Sequence, residues 1–491
     1  MNIADQQHSV VRWQGHALPL AAYTFLTTVV TWPVVPRFFT HIPGGGDAAW
    51  FLWQLWWFKH ALLDLRQLPY RTDLIYYPLT DVPVTSQTPF NEFLTMPLQV
   101  AIGLVPLYNV LFLLSFVLSG YFTYLLGLAL VRRRSVAFVG GVIFAFCAYR
   151  GMRGLGHLSL LTTEWMPLAL LLAIQCWRRP TWQRGAATGI ATALIALSSP
   201  YYVGLFLFPV IGIGGGYMLL ARRRRLKERA LWRAALVAAT VAALCTLPFY
   251  LPMLFMLSDI HTVNQDLALS SWRYAADLLS WLLPPGFHPL WGSYTAPIYA
   301  NFTTPNMMET TVFVGFVPLL LALSTLVLRR QQRAARYWQL VALVSGLMAM
   351  GPSLHVAGRK VMDGLLFQWL LLLPGFTLFR IPSRTGITTA LAVSVLAMLA
   401  LHHWQQRLTA RQWRFLWPVL MVIILVNITP LFPYRTSDRT IPEHYQTLAA
   451  ATERTAILEI SGEALPSVEA YYEAMSWYMY YQTVHQRPIV S

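Results

Sequence analysis

Asp47 stands in the run PGGGDAAW, directly after an apolar segment, where three glycines let the backbone approach a ligand and a carboxylate follows at once. A carboxylate near the mouth of a membrane cavity can act as general base toward an incoming hydroxyl, or as a metal ligand. The same position suits a helix N-cap, because an acid ahead of an amphipathic helix accepts from its free backbone N–H groups. Both roles stay open at this point.

A second constellation is basic. Arg150, Arg153 and His157 fall in YRGMRGLGHLS, and Arg380 and Arg384 in the distant LPGFTLFRIPSR. Guanidinium groups grip phosphate oxygens through paired hydrogen bonds and keep their charge when partly desolvated, so a lipid-linked phosphate or diphosphate is the ligand this set fits. Headgroup snorkelling is the plainer alternative for each arginine alone. Glu309, in PNMMETTVFVG, and Glu164, in TTEWMPL, are acids at the edge of apolar runs, where burial is costly unless they face a cavity or a partner. Tyr201 and Tyr202, after Pro200, could stack on a sugar ring. Asp277 and His288 fall in a later polar region with no role suggested by their surroundings.

These residues need elements to hold them, and the charge pattern supplies those. Five clusters, at 132–134, 178–184, 222–229, 329–336 and 407–414, hold 19 Lys and Arg and one acid, Glu228. The polar regions on the other side of the apolar segments, at 37–106, 257–309, 352–385 and 432–491, hold 17 of the 20 Asp and Glu. Short Arg-rich loops stay on the cytoplasmic side. The sorting therefore predicts a multi-pass protein of the cytoplasmic (inner) membrane, with the N-terminus inside, the C-terminus outside and the candidate residues facing outward. At 56% hydrophobic and 11% charged residues, the chain has too much apolar surface for a soluble protein. Its formal charge of +16 is anchoring charge beside anionic lipid and not a nucleic-acid footprint. Cys147, Cys176 and Cys245 lie in or beside apolar runs without metal-type spacing and read as small buried hydrophobes.

A helix needs roughly 20 apolar residues to cross the hydrocarbon core. Spans are predicted at 17–36, 107–131, 135–150, 159–177, 185–200, 202–221, 231–256, 310–328, 337–351, 386–403 and 415–431, about eleven transmembrane helices in all. Residues 89–106 are nearly apolar enough for another, but Asn91, Glu92 and three prolines favour an interfacial or re-entrant segment. The fold class is thus an all-α polytopic membrane protein. Residues 1–431 form the transmembrane module, with a first outer loop at 37–106. Residues 432–491 form a small outward C-terminal α/β segment, an incomplete domain or one leaning on the membrane part. Within the first loop, the Trp-rich DAAWFLWQLWWFKHALLDL reads as a helix lying along the membrane surface. Walker, HExxH and GxSxG motifs are absent from the sequence.

The acid after the first span (GGGDAAW), the long first outer loop, and the ordered pieces TPFNEFLTMPL, LSFVLSGYFTYLLGLALVRR, FAFCAYRGMRGLGHLSLLTTEWMPL and LPGFTLFRIPSR resemble those of GT-C superfamily membrane glycosyltransferases, over about residues 17–430. Their order along the chain is more specific than any one of them. The resemblance implies a donor sugar on a polyprenyl phosphate and inverting hexosyl or pentosyl transfer on the outer side of the membrane. The acceptor would be an envelope glycan, lipid or protein, as in cell-envelope polysaccharide biosynthesis. It also implies Asp47 near the attacking hydroxyl and Arg150, Arg153, His157, Arg380 and Arg384 around the donor phosphate. Tyr201, Tyr202, Glu309 and Glu164 would line the sugar and acceptor. Many such enzymes carry paired acids in these loops, whereas here Ala48 and Ala49 follow Asp47. The expected site therefore holds no tightly bound metal and at most a loosely bound divalent cation. The alternatives from other classes are a non-enzymatic lipid-linked-glycan transporter or flippase, and a structural partner in envelope glycan assembly.

Overall fold

The computed structural model describes residues 3–256, 271–304, 306–328, 332–451, 455–460 and 468–490, with side chains from residue 15 onward except 332–334, 468–470 and 472. Among the described residues, seven helices are long and apolar enough to cross a membrane. They are Leu104–Val131, Arg134–Arg153, Leu158–Arg178, Val203–Ala221, Arg229–Phe255, Pro382–Gln405 and Ala410–Ile428. The four remaining predicted spans are also helical, but shorter or more polar. The first has a 16-residue apolar part at Gly15–Val30. The others are Trp182–Ser198, Phe316–Ser324 and Gln332–Ala349, of 17, 9 and 18 residues. The predicted first span ends early: its helix stops at Val30 and turns fill 31–40.

Leu104–Val131 begins after Gly103 (φ 88) and ends at Arg132 in the left-handed region (φ 53), so the chain reverses tightly into the helix Arg134–Ala145. Its 28 residues extend about 42 Å, enough to cross the hydrocarbon with tilt. Residues 89–102, ahead of it, form only the short helices Phe90–Leu94 and Met96–Ile102. The helix Gly386–Gln405 runs through the centre, with every residue of 386–401 buried. It packs on Arg134–Ala145, Phe316–Ser324 and Gln332–Ala349. Gly140 lets the Met398 thioether lie against backbone, since a Cβ there would overlap it.

Two helices are broken where the candidate residues lie. After Arg134–Ala145 the backbone leaves helical geometry at Cys147 (φ −57, ψ 151) and resumes as Ala148–Arg153. A second break separates Leu158–Leu161 from Trp165–Arg178. The residues at both breaks are buried, so the freed backbone groups are surrounded by protein.

The Trp-rich segment differs from its predicted surface position. Its helix, Asp47–Lys59, has ten buried residues and is covered by the C-terminal helix Val468–His485. Trp53 Nε1 donates to Gln482 Oε1 at 2.7 Å, and Trp57 Nε1 to Pro69 O at 2.8 Å. Both indole N–H groups are thereby satisfied inside protein, so these rings form core between loop and tail. The tail is knitted to the loop elsewhere too. Strand His41–Pro43 pairs antiparallel with Thr436–Asp438, His41 opposite Asp438. Ile489 N donates to Leu74 O at 2.9 Å, and Ile457–Leu458 pairs parallel with Ile489–Val490.

Candidate active site

The glycine loop ahead of Asp47 is pressed onto the segment ahead of His157. Gly44 (φ 76) lies so close to the Leu155 carbonyl that no side chain fits, and Gly45 N donates to Leu155 O at 3.0 Å. Gly46 (φ 51) is the N-cap, with no side-chain cap, and Asp47 is the first residue of the helix. The N-cap role considered for Asp47 is therefore taken by backbone. Its carboxylate turns to His157 instead, while the helix N-terminus still favours its charge.

A continuous polar cluster follows. His157 Nε2 lies 3.2 Å from Asp47 Oδ2 and 3.3 Å from Glu309 Oε1. Glu309 Oε2 lies 2.6 Å from Arg153 Nη1. Arg384 closes on the same carboxylate with two donors, Nη2 to Oε1 at 2.7 Å and Nε to Oε2 at 3.3 Å. Arg153 Nη2 also donates to the Glu309 carbonyl at 2.6 Å. The rings of Tyr149 and Tyr201 lie under the two guanidinium groups, at 4.9 Å from Arg153 and 4.3 Å from Arg384. Exposure rises along the chain of contacts, with side chains 0% exposed at Arg153, 5% at Glu309, 14% at His157 and 54% at Asp47. Asp47 is the solvent-exposed end of the cluster.

Burial pushes the Asp47 carboxyl up, but the hydrogen bond and charge of His157 outweigh it and leave the group below its ordinary value. Burial also penalises the charged form of Glu309, and the two guanidinium groups reverse that, holding it far below the carboxylate range. Asp47 is thus an ionised, accessible carboxylate, and Glu309 a permanently charged anchor. The two carboxylates of Asp47 and Glu309 are matched in number by the two guanidinium groups of Arg153 and Arg384. Among the described residues, no group of three or more His, Cys, Asp or Glu is arranged to hold a metal ion.

Other expected site residues are placed apart. Arg150, fully buried, donates to Ala145 O at 2.5 Å, Ser115 Oγ at 2.8 Å and Leu161 O at 3.2 Å. Glu164 accepts from the same Ser115 hydroxyl at 2.7 Å. Together they form an internal polar knot that ties the broken helices, and not a surface for phosphate. Tyr202 is fully buried, with its hydroxyl on the Leu160 carbonyl. Arg380 is half-buried and has no hydrogen bond or ion pair among the described residues. Asp277 accepts from Leu279, Ala357 and Gly358 backbone N–H groups, and His288 Nε2 faces Val426 O at 3.1 Å, so both serve loop structure. Tyr149, under Arg153, belongs to the cluster although the sequence reading did not single it out.

The fold has relatives among solved structures. The archaeal oligosaccharyltransferase AglB from Archaeoglobus fulgidus, in complex with an inhibitory peptide and a dolichol-phosphate, superposes with a TM-score of 0.52 at 13% identity. The match covers 98% of this chain and 64% of AglB. ArnT from Cupriavidus metallidurans, bound to undecaprenyl phosphate, gives a TM-score of 0.44 at 13% identity, over 96% of this chain and 70% of ArnT. No curated protein sequence matches the chain. The overall fold is thus shared with AglB, in line with the fold that the sequence resemblance implies. A model for a domain of unknown function, DUF6311, matches residues 20–442, and the chain belongs to that family.

Proposed function

We propose that this protein is a membrane glycosyltransferase that moves a hexosyl or pentosyl group from a polyprenyl-phosphate donor to an acceptor outside the cytoplasmic membrane. The carrying observation is the cluster Asp47–His157–Glu309 with Arg153 and Arg384 behind it, at broken helices of a GT-C-type fold. The AglB structure, with its dolichol-phosphate, supports a lipid-phosphate donor by analogy of fold. The acceptor is a hydroxyl of an envelope glycan, lipid or protein, approaching from the side that carries Asp47.

Asp47 is the base. The acceptor oxygen attacks the anomeric carbon from the face opposite the phosphate, and its proton passes to Asp47 Oδ1 or Oδ2. The bond from carbon to phosphate oxygen breaks, and the electron pair leaves with polyprenyl phosphate, inverting the anomeric centre. His157 orients the carboxylate through Nε2. As Asp47 takes the proton, the cluster gains one unit of positive charge while the leaving phosphate gains negative charge, so the field strengthens when it is needed. Arg380, unpaired among the described residues, supplies a further cation for the phosphate. Tyr201 offers a ring beside Arg384 for the sugar. Glu309 is already neutralised by two guanidinium groups, so Asp47 is left as the one carboxylate of the cluster for any cation, and binding there is weak.

The test is release of polyprenyl phosphate from a panel of polyprenyl-phosphate hexoses and pentoses by the purified full chain in membranes, with an envelope extract as acceptor source. Donor-specific release with sugar incorporated into acceptor is expected; no release from any donor overturns the proposal.

A further inference from the structure

Arg439 lies outside the cluster, on the tail strand's exit, and its surroundings leave its charge unanswered. It follows strand Thr436–Asp438, and its backbone N donates to Thr40 O at 2.9 Å, beside the loop that leads to Asp47. Its side chain is only 4% exposed. The guanidinium stacks on the Trp477 ring at 3.7 Å and lies 5.7 Å from that of Tyr480. Among the described residues, Nε, Nη1 and Nη2 all lack a hydrogen-bond partner. Asp438, its neighbour in the chain, turns Oδ1 to Thr440 N and Oγ1, and Glu473 on the tail helix accepts from Gly46 N at Oε1. The phenols of Tyr108, Tyr480 and Tyr481 are the other titratable groups facing it. Burial lowers the guanidinium to about 10, so it stays charged at neutral pH.

A guanidinium with its face on an indole has its in-plane N–H edge free, and that edge matches two oxygens of one carboxylate or phosphate. A buried cation without such a partner is unfavourable, whereas a charge-assisted fork would satisfy two of its nitrogens at once. We infer that Arg439, backed by Trp477 and Tyr480, forms an oxyanion subsite for a carboxylate- or phosphate-bearing ligand at the junction of the first loop and the tail. It is separate from the phosphate grip proposed for donor transfer, and its test needs no turnover, so either can fail without the other.

The full chain in detergent is titrated with inorganic phosphate or glucuronate at constant ionic strength, and separately with micelles containing phosphatidylglycerol, following thermal unfolding. A saturable rise in Tm with phosphate or glucuronate identifies a soluble oxyanion; a rise only with phosphatidylglycerol identifies a lipid headgroup. Either supports the subsite if Arg439→Lys weakens the apparent Kd about tenfold, the worth of one charge-assisted hydrogen bond. Trp477→Leu, which removes the stack but keeps the guanidinium, is expected to weaken it as well. No saturable rise for the unaltered chain in any arm, or an equal response in Arg439→Lys, overturns the inference.

Discussion

Arg384 grips Glu309 with two donors, Nη2 at 2.7 Å from Oε1 and Nε at 3.3 Å from Oε2, inside a cluster where Arg153 holds the other side of the same carboxylate. One buried anion thus joins residues from the Ala148–Arg153 and Met307–Thr310 helices and the turn Pro382–Thr385. Removing it strands two buried cations. Glu309→Gln is expected to destabilise the chain by about 3–5 kcal/mol, read by thermal or denaturant unfolding in detergent. Adding Arg384→Met to that variant should cost less than Arg384→Met alone, because the partner is already gone. The stabilisation also has a pH signature. Glu309 is lowered in the folded chain, so its contribution is present above the ordinary carboxylate value and is lost as pH falls below it.

Asp47 is kept low by His157, and this sets the acid side of the rate profile. Protonation of the base stops transfer, so turnover falls as pH drops through the Asp47 value. His157→Asn removes the hydrogen bond and charge that lower it. The acid limb is expected to move to higher pH in that variant, measured as the pH profile of kcat/KM. An unmoved limb would detach His157 from the base.

Glu92 is a buried carboxyl in the first loop's short turn, pushed up by burial to about 7 although Ser86 and the backbone N–H of Thr88 donate to it. A raised carboxyl binds its proton in the folded chain while the unfolded chain has lost it. Stability should therefore fall as pH rises from about 4.5 to 7, by about 3 kcal/mol in total. Glu92→Gln is expected to flatten that slope in unfolding measurements between pH 5 and pH 8.

Arg150 and Arg380 divide structure from binding. Arg150→Gln breaks a buried knot of Ser115, Ala145 and Leu161 contacts and should lower Tm with little change in donor KM for the protein that remains folded. Arg380→Gln should do the reverse, raising donor KM several-fold at nearly constant Tm.

The glycine run before Asp47, and arginines on the side opposite the basic loops, made much of this cluster legible in sequence. Local pattern could not separate Arg150 from Arg153, two like residues about one turn apart in one short helix. Their roles are decided by Ser115 and Leu161 on one side and by Glu309, 156 positions away, on the other. Tryptophan spacing in 47–65 fits a lipid interface or a packed core equally. The arrival of the tail helix, with Gln482 on Trp53, makes it core. Arg439 left no trace in sequence, because Trp477 and Tyr480 reach it only through the fold.

Asp47→Asn keeps the size and the neighbour of the side chain but cannot accept a proton at neutral pH. Release of polyprenyl phosphate from the preferred polyprenyl-phosphate sugar should drop about 10²–10⁴-fold in this variant, with Tm and donor binding unchanged. Turnover equal to that of the unaltered chain would remove Asp47 as the base and with it the catalytic role of the cluster.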